Sequence, residues 1–273
     1  MKPRRTLAFV VVVLFALLTW GADQHDSAPI PLTNVHAHND YEHEHPLFDA
    51  LACGFCSVEA DINLVDGKLL VAHSLSAVKP DRTLQSLYLE PLRKRIGENG
   101  GRVYRGGPPV WLLIDFKTDP KTTYPVLRHI LEQYADILTV WRNGKMEQGA
   151  VTAILTGDHP AEEGLAWESV RYAAIDGTLK SLQTNPPPDL VPWMSSQWSK
   201  TFRWRGKGEF PPAEAQKLRQ LVGESHDQHR LVRFWGAPDN PAAWKELRAA
   251  GVDLINTDDL RGAQQFLLDE QRR

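Results

Sequence analysis

Short apolar runs recur along this chain, with helical patterns or long polar stretches between most of them. The first runs from Thr33 and ends in polar residues at Asp40, and the second begins at Ser57 and extends like a hairpin to His73. Six more follow at Val110 to Lys117, Ala150 to Thr156, Tyr172 to Ile175, Leu190 to Met194, Leu231 to Trp235 and Val252 to Asn256. Helical spacing is seen over Pro46 to Ala52, stopped at Gly54, then over Leu84 to Ile96, Tyr124 to Leu138, Ala213 to Leu221, Pro241 to Ala250 and Arg261 to Arg272. Ser74 to Pro109 reads as a long insertion with its own helix and glycine breakers at Gly100-Gly101 and Gly106-Gly107. A segment of that length carries function or disorder. The prolines Pro186 to Pro188 read as a connector.

Strands alternating with helices predict an α/β fold with a parallel sheet, and eight such runs predict a closed (β/α)8 TIM barrel. An open doubly wound sheet is the alternative, but no glycine-rich phosphate loop follows the first run. A barrel gathers its site at the C-terminal ends of its strands. Those ends carry His36, His38 and Asp40, then Glu59 and Asp61, Asp115 and Lys117, Asp158 and His159, Asp176, Trp193 and Ser195, Trp235, and Asn256 with Asp258.

The densest chemistry lies between Ser57 and His73. Glu59 and Asp61 are two apart in an extended segment, so both carboxylates point to one side as a pair of hard oxygen ligands. Asp66-Gly67 is a tight-turn dipeptide, and the apolar run after it delivers His73, which can move protons near neutral pH. A solvated surface hairpin would show the same three residues. It would not explain why Asp115 and the histidines stand at matching strand ends, and that placement favours a site.

Charge and cysteine content narrow the setting. Lys2, Arg4 and Arg5 precede an uncharged, mostly apolar stretch from Leu7 to Trp20, too short for the ~20 residues of a membrane span. Residues 1–21 therefore read as a signal peptide cut near Gly21, or as an uncleaved N-terminal anchor, residues 22–32 as a leader and residues 33–273 as one barrel domain. The expected location is exported, periplasmic or secreted. Removing residues 1–21 moves the formal net charge from −3 to −6. A mildly acidic chain without a basic block excludes a nucleic-acid partner. No protein partner is inferred. Cys53 and Cys56 close a helix and enter a strand, unlike a redox C-x-x-C that opens a helix, and are read as packed or incidental. No second cysteine pair supports zinc.

The chain resembles the glycerophosphodiester phosphodiesterases and the wider group of barrel phosphodiesterases that includes phosphatidylinositol-specific phospholipase C. The resemblance rests on His38, Gly54, Glu59-Ala60-Asp61, Asp66-Gly67, His73, Asp115-Phe116-Lys117 and Thr257-Asp258, and spans Asn34 to Leu260. It implies a metal-dependent phosphoric diester hydrolase with one divalent cation, Mg²⁺ or Ca²⁺, on Glu59, Asp61 and Asp115, and with His38 and His73 as base and acid. Lys117, Asn39 and Trp235 are the implied substrate contacts, and a small-molecule or lipid phosphodiester, reached at a membrane surface where it is a lipid, is the implied partner. His38-Asn39-Asp40-Tyr41 departs from the usual H-R-G, so the arginine expected to grip phosphate is missing and its task passes to Lys117, Arg82 or His43. His36 reads as a hydrogen-bonded core residue. Two rivals remain: an amidohydrolase-like metal enzyme using His36-Ala37-His38, and an exported barrel that binds phosphate or lipid without catalysis.

Overall fold

A computed structural model describes residues 28–160 and 162–272, so the segment read as a signal peptide lies outside the described residues. Eight parallel strands form the barrel: β1 (Val35–Ala37), β2 (Ser57–Val65), β4 (Val110–Phe116), β7 (Val151–Gly157), β9 (Ala173–Gly177), β10 (Trp193–Gln197), β11 (Leu231–Trp235) and β12 (Ile255–Thr257). They follow one another in chain order, and β12 returns to pair with β1. The last gap is closed by a parallel bridge between Arg233 and Leu254, with the Leu254 amide donating to the Val232 carbonyl at 3.1 Å. The eight expected strands are present, some displaced by a few residues. Val252 and Leu254, for example, are buried just ahead of β12.

The helices are α1 (Phe48–Ala52), α2 (Glu90–Glu98), α3 (Pro120–Glu132), α4 (Glu162–Ala166), α5 (Ser181–Thr184), α6 (Trp198–Thr201), α7 (Pro212–Asp227), α8 (Pro241–Ala249) and α9 (Leu260–Gln271). The helix expected from Leu84 to Ile96 is a π-helical turn over Gln85–Leu89 running into α2. The helix placed at Tyr124 to Leu138 starts earlier, at Pro120, because Asp119 caps it by accepting from the Lys121 amide at 2.9 Å. Asp66-Gly67 turns β2 into β3 (Lys68–Val71) with both residues at positive φ, as a two-residue hairpin requires. A feature the apolar pattern did not predict is a small antiparallel sheet of β5 (Val140–Arg142), β6 (Lys145–Glu147) and β8 (Val170–Arg171), whose β6 is exposed throughout. Cys53 and Cys56 are both free and buried, Cys53 capping α1 and Cys56 just before β2.

Side-chain alternation fills the barrel in layers. Leu113, Ile154, Ala174, Trp193 and Leu254 form an apolar plug across the lumen. The outer faces of the strands and the helices enclose a larger core that includes Val58, Leu112, Ala153, Leu155 and Ile175. Two residues along the strands from the plug, the inward positions turn polar: Asp115 follows Leu113, Thr156 follows Ile154, Asp176 follows Ala174, Ser195 follows Trp193 and Asn256 follows Leu254. Polar groups at that depth must find partners or a ligand.

Candidate active site

The register of the parallel strands sets the carboxylates side by side. Asp61 of β2 pairs across the sheet with Asp115 of β4, which in turn pairs with Thr156 of β7. Glu59 lies one inward position below Asp61. Glu59, Asp61 and Asp115 thus offer three oxygens within 4.8 Å of one another. Asp115 needs room on its far side, and Gly157 provides it. A Cβ there would stand 2.1 Å from Asp115 Oδ1.

Each carboxylate is held by a different part of the His38 to Tyr41 segment or by Lys117. Asn39 takes a left-handed backbone (φ 50°), which turns its amide toward Glu59 Oε2 at 3.1 Å. Tyr41 Oη lies 2.7 Å from Asp61 Oδ2 and 2.8 Å from Asn39 Oδ1, both acceptors for its hydroxyl. Asp40 turns away and accepts from the Leu47 amide and the Tyr88 hydroxyl, fixing the loop that follows. Lys117 Nζ lies 3.0 Å from Asp61 and 2.8 Å from Asp115.

The two histidines are anchored through Nδ1. His38 donates to Asp258 Oδ1 at 2.9 Å and keeps its Nε2 3.8 Å from Glu59 Oε2. His73 donates to Asp61 Oδ2 at 3.0 Å and is largely exposed. A carboxylate only accepts, so its contact calls for the proton on Nδ1 and leaves Nε2 for chemistry, with Asn39 Nδ2 2.9 Å from His38 Nδ1 and Tyr41 Oη 3.2 Å from His73 Nδ1 packed beside them. His36 is fully buried, bonded to Ser57 Oγ at 2.7 Å and packed edge-on to Trp193, as a core histidine would be.

Burial and charge divide the acids. Burial works to raise the Glu59 carboxyl, but the neighbouring His36, Arg233 and His38 hold it well below the usual carboxylate range. Burial, and then the Glu59 charge, raises Asp61 against the pull of Lys117. Asp115 is pushed up to about 6, first by burial, with Asp61 adding to it and Lys117 opposing. Burial would lower His38, yet Asp258 and Glu59 outweigh it and raise it above its ordinary value. His36 is lowered to about 4 by burial and Arg233. Such a crowd of acids, two of them raised above the usual carboxylate range, suits a hard divalent cation held through oxygen. Among the described residues the group that could hold a metal contains no histidine, which does not fit the amidohydrolase-like alternative.

One cavity of about 310 Å³ is lined by His38, Asn39, Glu59, Asp61, His73, Asp115, Lys117 and Trp235, together with Thr156, Gly157 and Arg233. It therefore brings together every residue the sequence singled out for catalysis, metal or substrate. Asn39 lines it, but its polar atoms are spent on Glu59, Tyr41 and Asp258, so the geometry makes it a brace for the other groups. Arg82 and His43 were expected as substitutes for the missing arginine, and they sit elsewhere. Both line a separate depression beside Tyr41, and Arg82 is turned onto the Tyr41 carbonyl. Lys117 does reach the cavity. Sequence reasoning missed Tyr41, Gly157 and Arg233. The available signal for Arg233 was its parity with Trp235 two residues on, which puts both side chains on the inner face.

The sequence pattern of the AIM6-like phosphodiesterase domain matches residues 24–176, and that of the glycerophosphoryl diester phosphodiesterase family matches residues 232–261. Among curated relatives, "Altered inheritance of mitochondria protein 6" of Eremothecium gossypii is 32% identical over 270 residues, 86% of this chain and 69% of that protein. A homolog of the same protein in Arthroderma benhamiae is 29% identical over 87% of this chain and 84% of its own. A crystal structure of a glycerophosphodiester phosphodiesterase from Parabacteroides distasonis superposes with a TM-score of 0.53 over 89% of this chain and 100% of its own, at 15% identity, which is a likeness of fold.

Proposed function

This chain belongs to the AIM6-like phosphodiesterase family, within the glycerophosphodiester phosphodiesterase superfamily, and from that premise we propose that it cleaves a phosphodiester bond in a glycerophosphodiester or phospholipid-type substrate. The observation that carries the reading is the meeting of three carboxylates, two Nδ1-anchored histidines and a lysine in one cavity. A divalent cation on Glu59, Asp61 and Asp115 would supply charge neutralisation at the phosphate oxygens. His38, its Nδ1–H tied to Asp258, takes the proton of the attacking hydroxyl on Nε2 as the new O–P bond forms. His73, tied to Asp61, returns a proton from Nε2 to the departing alkoxide as the old P–O bond breaks. Lys117 holds a non-bridging oxygen as a fixed positive charge. The attacking hydroxyl belongs to water or to the substrate, giving an open or a cyclic phosphate.

Export completes the proposal, with the substrate met in the periplasm or outside the cell, at a membrane surface where it is a lipid. No helix among the described residues is long and apolar enough to cross a membrane. Purified mature protein should turn over a glycerophosphodiester, a lysophospholipid or phosphatidylinositol in the presence of Mg²⁺ or Ca²⁺, and chelator should abolish it. Phosphorus NMR of the product distinguishes open from cyclic phosphate. Binding of these compounds without turnover under any added cation would replace the enzyme with a binding barrel.

A further inference from the structure

One cation in the cavity is used by none of the steps above. Arg233 lies mid-way along β11, 3% exposed, and its guanidinium is fixed on three sides. Nε donates to Ser195 Oγ at 3.1 Å, Nη1 to Asn256 Oδ1 at 3.0 Å and Nη2 to Asp176 Oδ2 at 3.3 Å. Asp176 is itself steadied by the Thr156 hydroxyl at 3.0 Å. A guanidinium has five N–H groups. These contacts leave one N–H on each terminal nitrogen with no acceptor among the described residues, while the side chain lines the cavity beside His38 and Glu59.

A buried arginine is costly unless its charge is met and its donors are filled. Asp176 in contact and Glu59 nearby, both buried, meet the charge here, and the donors are not all filled. The mount is also rigid: three acceptors from three strands, β9, β10 and β12, fix the plane of the fork. Going round the barrel, β11 lies four strands from β4, so Arg233 stands on the wall opposite Lys117 and Asp115. Two unspent N–H groups in a fixed plane match two acceptor lone pairs on one anionic oxygen, or two oxygens of one phosphate, as a lysine ammonium does not. Trp235, two residues nearer the mouth on the same face, then stands beside whatever group the phosphate carries.

We propose that Arg233 is a substrate-binding residue that grips a non-bridging phosphate oxygen from the floor of the cavity, with Asp176, Ser195 and Asn256 as its mount. The assignment deepens the phosphodiesterase reading and rests on it. The arginine that the His38 segment lacks is thus supplied from β11, two strands round the barrel from β1.

The test is Arg233→Lys in the full mature chain. Lysine keeps the charge opposite Asp176 but has only three N–H donors, which the three mount acceptors can consume. Calorimetric titration of inorganic phosphate and of glycerol 3-phosphate, with Mg²⁺ present, should show affinity about 10- to 100-fold weaker than wild type, the size of a lost charged hydrogen bond. KM for a glycerophosphodiester should rise similarly, and the thermal midpoint should stay close to wild type. A folded Arg233→Lys protein that binds phosphate and substrate within twofold of wild type overturns the proposal. Should that variant not fold, Ser195→Ala and Asn256→Ala take its place. Each loosens the fork by one contact, and unchanged phosphate affinity in both overturns it equally. Failure of the wild type to bind phosphate or turn over any diester would instead remove the phosphodiesterase reading itself.

Discussion

Tyr41→Phe isolates the support of the carboxylate cluster from the cluster itself. The substitution keeps the ring, which is buried beside Leu47 and other core residues, and deletes one oxygen. That oxygen lies 2.7 Å from Asp61 Oδ2 and 2.8 Å from Asn39 Oδ1. The hydroxyl's own ionisation is driven far upward by burial and by the Asp61 charge, so it is a neutral donor at any working pH. A hydrogen bond to a charged group contributes about 1.5–3 kcal/mol. Asp61 would keep His73 and Lys117 as partners, which places the expected loss at the lower end, roughly tenfold in Mg²⁺ affinity or in kcat/KM. Calorimetry with Mg²⁺ alone, diester turnover and the thermal midpoint should be measured on the same preparation. Asp61 freed of Tyr41 should lose cation affinity while the fold stays intact. If cation affinity and turnover both remain within twofold of wild type, Asp61 does not depend on Tyr41 and the role given to this segment is wrong.

Glu59→Ala should weaken Mg²⁺ binding measured by calorimetry and lower turnover, with activity partly recovered at high cation concentration by mass action; turnover that ignores added cation would remove Glu59 from the ligand set. His73→Ala should cost ~10²- to 10⁴-fold in rate with no rescue by metal, and less on nitrophenyl diesters, whose leaving group needs no proton; equal losses on both substrates would take the acid role from His73. Asp40 offers a stability test away from the reacting groups. Burial pushes its carboxyl up to about 7, against about 3.9 in an unfolded chain. The folded state then binds more protons than the unfolded state between those values, so this group makes stability fall as pH rises from about 4 to 7, by at most roughly 4 kcal/mol. Asp40→Asn should flatten that part of the curve in denaturant unfolding at pH 5 and pH 8, and parallel curves for the two proteins would show that Asp40 does not titrate there.

The barrel was legible because its parallel strands are covered on both faces, which leaves near-continuous apolar runs in the sequence. Each run stands apart from its neighbours, and eight of them predict the closed ring. What escaped was structure without such a run. β6, Lys145–Glu147, is exposed along its whole length and carries no periodic apolar signal, and β5 is only three residues long, its buried Val140 and Trp141 following closely on the apolar pattern read as helix. The displaced boundaries have a related cause. Val252 and Leu254 are as apolar as any strand residue, but they are buried in the approach to β12, and hydrophobicity alone does not tell burial in a strand from burial beside one.

The site was legible in its acids and hidden in its supports, for a physical reason. Glu59, Asp61 and Asp115 break otherwise apolar strands, and a carboxylate there is conspicuous. Tyr41 sits in a polar loop where an aromatic reads as packing, and Arg233 sits inside an apolar run that reads as strand core, with only its alternation against Trp235 to betray an inward charge. The same alternation explains how an arginine can move. All eight strands of a barrel present alternate side chains to one lumen, so a positive group needed at the phosphate can stand at the end of β1, as in H-R-G, or on the floor of β11, and reach the same space. The two placements are not equivalent. At the β1 end, Asn39 in the left-handed conformation now turns its amide onto Glu59, while the guanidinium on β11 is locked by three acceptors before substrate arrives. The sequence therefore trades a cation on a loop for one on a rigid wall, which demands that substrate fit the fork as it stands.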